Sequence, residues 1–68
     1  MKGMLWLDDD KKRPLEEKVL RAAEYFEDKY GTWPTRCKVA VGLGEHNIRG
    51  VQVIECKSTL PHHFLIGN

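Results

Sequence analysis

The segment from Leu15 to Tyr30 is the feature that most restricts how this chain can fold. Its apolar side chains recur every three or four residues and therefore form one stripe along a helix. Charged side chains fill the other side, where Glu17 precedes Arg21 by one helical turn in the order that favours an ion pair. Such a helix needs an apolar surface to cover its stripe. The stripe consists of Leu15, Val19, Ala22, Phe26 and Tyr30, with Leu20 and Ala23 beside it.

The ends of this helix are marked by residues with strong backbone preferences. Pro14 suits the first helical position, because its nitrogen carries no hydrogen and its φ is already fixed. Gly31 lies where helices commonly end in a left-handed residue, and Pro34 prevents continuation. We therefore predict one helix over residues 15–30.

Apolar runs on both sides of the helix predict two strands of one sheet. Met4 to Leu7 is a short apolar run that Asp8 interrupts, and it indicates a buried first strand. Cys37 to Leu43 has apolar residues at alternate positions, which is typical of a half-buried strand. Two strands joined by a crossover helix normally run parallel with a right-handed connection. We expect that arrangement here.

The second half of the chain predicts a hairpin and a candidate last strand. Val51 to Lys57 is rich in β-branched residues, and the turn-rich segment Gly44 to Gly50 precedes it. We therefore expect Val51 to Lys57 to pair antiparallel with the strand Cys37 to Leu43. His62 to Ile66 is a candidate terminal strand, although Pro61 restricts it to a strand start or an edge.

Together these segments predict an α+β fold with a single amphipathic helix packed on a small three- to four-stranded mixed sheet. The order is β-α-β-β, with an optional terminal β, and residues 1–68 form one domain because so short a chain has room for only one core. One helix covers one sheet face. We expect Trp6 and the hairpin valines to make the other face apolar, which favours self-association because a core of this size contributes only ~3–5 kcal/mol.

Composition excludes several classes of protein. Lys and Arg number 11 against 10 Asp and Glu, so no broad field attracts nucleic acid or an anionic membrane. The apolar run after Lys2 is too short for a secretion signal, and no run is long enough to cross a bilayer. We expect a cytoplasmic protein that uses no cofactor.

The two cysteines, Cys37 and Cys56, are expected to be reduced in that compartment. One register of the predicted hairpin places them opposite each other, at a separation that a disulfide can span. The register shifted by one residue places Cys37 opposite Glu55 and pairs the valines instead. The sequence leaves both registers open.

Three groups of polar residues are weak candidates for chemistry or binding. Asp8, Asp9 and Asp10 follow a strand, where carboxylates can hold Mg²⁺. His62 and His63 resemble the strand-borne histidines of small toxin ribonucleases, which act as general acid or base. A phosphate-binding surface for nucleic acid would use Lys11, Lys12, Arg13, Arg36, Lys38, Arg49 and Lys57.

Several short motifs resemble a set of short uncharacterised bacterial proteins. They are Met4-Leu5-Trp6-Leu7-Asp8, Ala22-Ala23-x-Tyr25, Lys29-Tyr30-Gly31-x-x-Pro34-x-x-Cys37 and Leu60-Pro61-x-His63-Phe64-x-Ile66-Gly67. The resemblance covers nearly the whole chain. It implies a natural protein of a prokaryotic cytoplasm, and it brings no activity and no catalytic residue.

The leading expectation is a non-enzymatic protein-interaction module that forms a homodimer or binds another protein through the uncovered sheet face or an exposed edge strand. The first alternative is a small nucleic-acid-binding protein. The second is a hydrolase or ribonuclease that uses His62 or His63. No membrane partner is expected.

Overall fold

The computed structural model describes residues 2–68 and has an α+β fold, in which one helix packs on one face of a mixed sheet. The fold class confirms the prediction, but the sheet has five strands instead of three or four. The elements are β1 (Gly3–Leu7), α1 (Leu15–Tyr30), β2 (Arg36–Val39), β3 (His46–Ile48), β4 (Val51–Glu55) and β5 (His63–Gly67).

The strands lie in the order β1-β5-β2-β4-β3. The predicted terminal strand exists as β5, and it lies inside the sheet, antiparallel to both β1 and β2. Since β1 and β2 both run opposite to β5, they run in the same direction, as expected for a strand–helix–strand crossover. The two free edges of the sheet are β1 and β3.

The helix has the predicted bounds, Leu15–Tyr30. Pro14 is its N-cap rather than its first helical residue, because its ψ of 160° is extended. Gly31 ends the helix in the left-handed conformation, with φ 75°, and donates its N–H to the Glu27 carbonyl oxygen at 2.7 Å. The buried part of the stripe is Val19, Ala22, Ala23 and Phe26.

The core lies between α1 and one face of the sheet. Phe26 and Phe64 are among its largest buried side chains, and Cys37 is fully buried beside them. The prediction that Trp6 and the valines make the uncovered face apolar is wrong. Val39, Val51 and Val53 are fully buried in the core, and Trp6 packs against it, with its ring 5.1 Å from that of Tyr25 on the helix.

The predicted hairpin between Cys37–Leu43 and Val51–Lys57 is also wrong. β2 ends at Val39 and runs parallel to β4, with Cys37 opposite Val53. The segment predicted as a loop contains β3, which forms the actual hairpin with β4. The turn between them has positive φ at both Arg49 and Gly50, 49° and 86°, as a tight hairpin requires.

A carboxylate far along the chain explains why β2 stops early. Gly42 and Gly44 have φ values of 106° and 81°, which are incompatible with a strand. Both donate their N–H groups to one oxygen of Glu55, at 3.1 and 2.8 Å. The chain therefore turns after β2 and returns as a separate strand at the edge.

Neither hairpin register that was considered for the cysteines occurs. Cys37 is buried and lies opposite Val53, Cys56 lies just beyond the end of β4, and both thiols are free. The cross-strand disulfide is excluded by the parallel pairing of β2 and β4.

The pairing of β1 with β5 depends on a glycine at position 67. A Cβ atom there would overlap the carbonyl oxygen of Lys2, whereas a Cβ at Gly3, which pairs with Gly67, would have its nearest neighbour at 3.9 Å. We predict that Gly67→Ala lowers the free energy of unfolding by about 1–3 kcal/mol, because backbone has to move. Gly3→Ala should change it by less than about 0.5 kcal/mol.

Urea denaturation of both variants measures this difference. Equal stability of Gly67→Ala and Gly3→Ala would show that β1 does not approach β5 as closely as the structure has it.

Candidate interaction surface

Among residues 2–68, no helix or strand packs on the sheet face opposite α1, which is called the open face. Because side chains alternate along a strand, strand pairing places Leu5, Leu65, Lys38 and Ile54 in one row across β1, β5, β2 and β4. Leu5 is 64% exposed and Leu65 is 41% exposed. Three of the four side chains in this row are thus apolar.

The neighbouring row forms a depression in the open face. Gly3 and Gly67 are paired there, so that the surface is bare backbone, and Arg36 follows on β2. The hollow that results is lined by Lys2, Gly3, Arg36, Lys38, Leu65, Ile66, Gly67 and Asn68. No lining residue is acidic. The ammonium group of Lys2 lies 5.3 Å from the ring centre of Tyr30, which leaves Arg36 and Lys38 as the cations of the open face.

A second hollow adjoins the first and shares Lys38 and Leu65 with it. Its other walls come from Leu5 on β1, His63 on β5 and the turn before β5, and again no acidic side chain lines it. The two hollows together are called the open-face groove. The lining of the second hollow is Leu5, Lys38, Ser58, Thr59, Leu60, His63 and Leu65.

The edge strand β1 presents unpaired backbone groups to solvent. Asp8 donates its N–H to the His62 carbonyl oxygen at 3.0 Å, and the Lys2 carbonyl oxygen accepts from Asn68 at 3.1 Å. In an antiparallel pair only alternate residues bond to the partner strand. Even-numbered residues therefore bond to β5, and the N–H and C=O groups of the odd-numbered residues face outward. Those residues are Gly3, Leu5 and Leu7.

Apolar side chains flank this edge on both faces of the sheet. Leu5 and Leu7 are 64% and 61% exposed on the open face, and Tyr25 is 54% exposed on the helix side, against Trp6. The Nε1 atom of Trp6 is buried and has no hydrogen-bond partner within residues 2–68.

Natural edge strands usually carry a charge, a proline or a bulge that prevents pairing with another chain. β1, with the sequence Gly-Met-Leu-Trp-Leu, contains no charged residue and no proline. β3, at the opposite edge, has only three residues and includes the polar His46 and Asn47. The unprotected edge of the sheet is therefore β1.

The structure separates the predicted basic residues into several locations. Arg36 and Lys38 lie side by side on the open face. Arg13 instead forms salt bridges with Asp8 at 2.8 Å and with Asp10 at 3.5 Å, so its charge is paired within the protein. The remaining four are exposed in separate turns: Lys11 and Lys12 before α1, Arg49 between β3 and β4, and Lys57 after β4.

Two of the three aspartates predicted as magnesium ligands, Asp8 and Asp10, form hydrogen bonds within the segment that precedes α1. Asp8 accepts hydrogen bonds from the Asp10 backbone N–H at 3.1 Å and from Arg13. Burial raises the pKa of the Asp8 carboxyl, but these two hydrogen bonds and the charge of Arg13 outweigh it and keep the pKa below its ordinary value. Asp10 accepts the Lys12 N–H, and Asp9 is exposed. Within residues 2–68, no three His, Cys, Asp or Glu side chains are grouped to hold a metal ion.

The two histidines lie at the start of β5 and have different surroundings. His62 is exposed and has a positive φ of 66°. His63 lines the open-face groove, where its Nδ1 atom lies 2.9 Å from the Pro61 carbonyl oxygen. Of the other predicted site residues, Asp8 bonds through its N–H to the His62 carbonyl oxygen, and Lys38 lines the groove together with His63.

Sequence reasoning missed Cys56 as a reactive group. The Ser58 hydroxyl lies 3.1 Å from its Sγ atom. Hydrogen bonds from the Ser58 side chain and backbone, and then from Thr59, lower the pKa of Cys56 to about 7, with a smaller contribution from the charge of Lys38. The spacing Cys56-x-Ser58 after a strand is the only local signal of this arrangement.

We predict that iodoacetamide alkylates Cys56 with a half-maximal rate near its pKa of about 7, because the thiolate is the reactive form. Ser58→Ala should move this midpoint toward the ordinary pKa of 9.0. Cys37 is the internal control, because burial raises its pKa to about 12 and shields it. Mass spectrometry locates the label, and an unchanged midpoint in Ser58→Ala would contradict the prediction.

No family model matches this chain, and neither a curated protein nor a solved structure is significantly similar to it. Within residues 2–68, the helix is too short and too polar to cross a bilayer. What the protein does therefore has to be inferred from its own surfaces.

Proposed function

We propose that this protein is a non-enzymatic interaction module that forms a homodimer through the edge strand β1. The observation that carries the proposal is the combination at this edge of outward backbone groups, no protecting charge or proline, and exposed apolar side chains on both faces. Addition of a strand to such an edge is a common mode of protein recognition.

Two copies related by a twofold axis would pair β1 with β1 in antiparallel orientation. Centred on Leu5, this pairing sets Leu5 opposite its own counterpart and Gly3 opposite Leu7 of the second copy. The outward N–H and C=O groups of all three residues would then be satisfied. Two five-stranded sheets would become one sheet of ten strands.

Burial of apolar surface supports the same arrangement. Leu5 would meet its counterpart on the open face, where Leu7 of each copy would lie over Gly3 of the other, and Trp6 would lie opposite Met4 of the second copy on the helix side. A fully buried leucine contributes about 1.5–3 kcal/mol. A chain of 68 residues has a small core of its own, so this additional burial matters for its stability.

The proposal includes a cytoplasmic setting in a bacterial cell. Two free cysteines support the cytoplasm, because thiols persist in a reducing compartment. The bacterial origin rests on the resemblance of the motifs described above.

The alternatives receive less support. Nucleic-acid binding would use Arg36 and Lys38, but the neighbours of Lys38 in its row are Leu65 and Ile54. The aromatic ring available for stacking on this face is the His63 imidazole, which is tied to the Pro61 carbonyl oxygen. A hydrolase would need a partner for His62 or His63, and the imidazole of His63 bonds to a backbone carbonyl oxygen instead.

Replacing Leu5 by Lys tests the dimer. In the twofold pairing the two new ammonium groups lie directly opposite each other, and the apolar contact is lost. We predict that Leu5→Lys raises the dimer dissociation constant by about 100-fold or more, from the loss of two leucine contacts. Sedimentation equilibrium over a range of concentrations measures it.

Val41→Lys is the matched control, because Val41 is 60% exposed, close to the 64% of Leu5, and lies in the turn after β2, away from β1. It should dimerise like the natural protein. A natural protein that stays monomeric at high micromolar concentration, or a dimer that Leu5→Lys leaves intact, would refute the proposed function.

A further inference from the structure

We propose that the open-face groove binds an acidic amphipathic helix of another protein. This inference goes beyond self-association, since the groove is formed within one copy and would be present in a monomer. It rests on the shape, the charge and the apolar floor of the groove.

The width of the groove matches one helix. The row of side chains within it runs from Leu5 through Leu65 to Lys38 across three adjacent strands. With strands about 4.8 Å apart, that row is about 10 Å wide between its outer strands. A helix with its side chains is about 10–12 Å in diameter. The other face of the same sheet already packs against a helix of that diameter, α1.

The paired glycines allow a close approach at one end of the groove. Gly3 and Gly67 leave bare backbone beside Leu65, and nothing lies nearer than 3.9 Å to the position of a Cβ on Gly3. A partner side chain can therefore fill this depression while its backbone lies over the leucines.

The charge of the groove selects an acidic partner. Arg36 and Lys38 are exposed, and no acidic residue lines either hollow. They are two residues apart on one strand, so their Cα atoms are about 7 Å apart. Carboxylates on successive turns of a helix are about 5–6 Å apart at Cβ and can pair with both cations. An apolar stripe bordered by acids thus complements the groove.

Other occupants fit less well. The phosphate backbone of a nucleic acid has no apolar surface that would pack on the leucine floor of the groove. A flat lipid surface would touch the exposed Leu5 and Leu60 at the sides of the groove but would not fill its floor, where Leu65 is 41% exposed. The helix of a second copy has acids on its outer face, but its apolar stripe is already buried in its own core.

A synthetic amphipathic peptide that presents a leucine stripe bordered by glutamates at i, i+4 spacing is the probe. We expect it to bind the intact protein, measured by isothermal titration calorimetry, with a dissociation constant below about 1 mM. The double variant Arg36→Glu, Lys38→Glu should weaken binding at least about tenfold. The same peptide with lysine in place of glutamate should then bind the double variant better than the natural protein.

The matched control is Lys11→Glu, Lys12→Glu, which makes the same change of charge in an exposed turn outside the groove. It should bind the acidic peptide like the natural protein. Circular dichroism checks the folding of each variant. In an NMR titration, changes in the amide chemical shifts of Leu5 and Leu65 show whether the peptide occupies the groove.

Several results would overturn the proposal. They are an acidic peptide that does not bind, binding that both double variants weaken equally, and binding that leaves the amide chemical shifts of Leu5 and Leu65 unchanged.

Two parallel measurements use a single-stranded oligonucleotide and vesicles of phosphatidylcholine with phosphatidylglycerol. Binding of either probe in place of the peptide, lost on reversal of Arg36 and Lys38, would assign the groove to nucleic acid or to membrane. In the monomeric Leu5→Lys variant, binding would be weaker through the lost leucine but still dependent on Arg36 and Lys38, so failure of the dimer and failure of this inference are distinguishable.

Discussion

Packing of α1 against one face of the sheet determines what the rest of the molecule presents to solvent. Burial of Phe26 between the helix and the strands fixes which side chains of each strand point inward. The remaining positions of β1, β5, β2 and β4 form a second face that nothing in residues 2–68 covers. One helix shields one of the two sheet faces, and exposed leucines lie on the other, beside the free edge of β1.

The helix could be predicted residue by residue because its information is local. The apolar stripe gives its period, and Pro14 and Gly31 mark its ends within the chain segment itself. Four of the five strands could also be predicted as segments, including the terminal one, whereas β3 lies in a segment predicted as a loop. The pairing of the strands could not be predicted, since alternation of side chains shows which way a residue points but not which strand lies beside it.

The early end of β2 shows why pairing escaped local reasoning. Gly42 and Gly44 leave the strand conformation because Glu55, on another strand, accepts both of their N–H groups. That interaction joins segments far apart in sequence. Without it, Val41 and Leu43 continue the alternation of the strand, and an antiparallel hairpin with Val51–Lys57 looks consistent.

The apolar character of the open face could be predicted, but not the residues that give it. Met4 to Leu7 is apolar at every position, so the sequence does not show which alternate pair faces the helix. Trp6 was assigned to the uncovered face, whereas Leu5 and Leu7 occupy it. Similarly, the basic residues looked alike in sequence, and only the fold shows that Arg13 is held by Asp8 while Arg36 and Lys38 share a groove.

Hydrogen exchange of the β1 amides at several protein concentrations tests self-association most directly. The N–H groups of Met4 and Trp6 bond to β5 within one copy, whereas those of Leu5 and Leu7 face the free edge. The account predicts slow exchange at Met4 and Trp6 throughout, and protection of Leu5 and Leu7 that appears only as the concentration rises. Fast exchange of Leu5 and Leu7 at every concentration would contradict it.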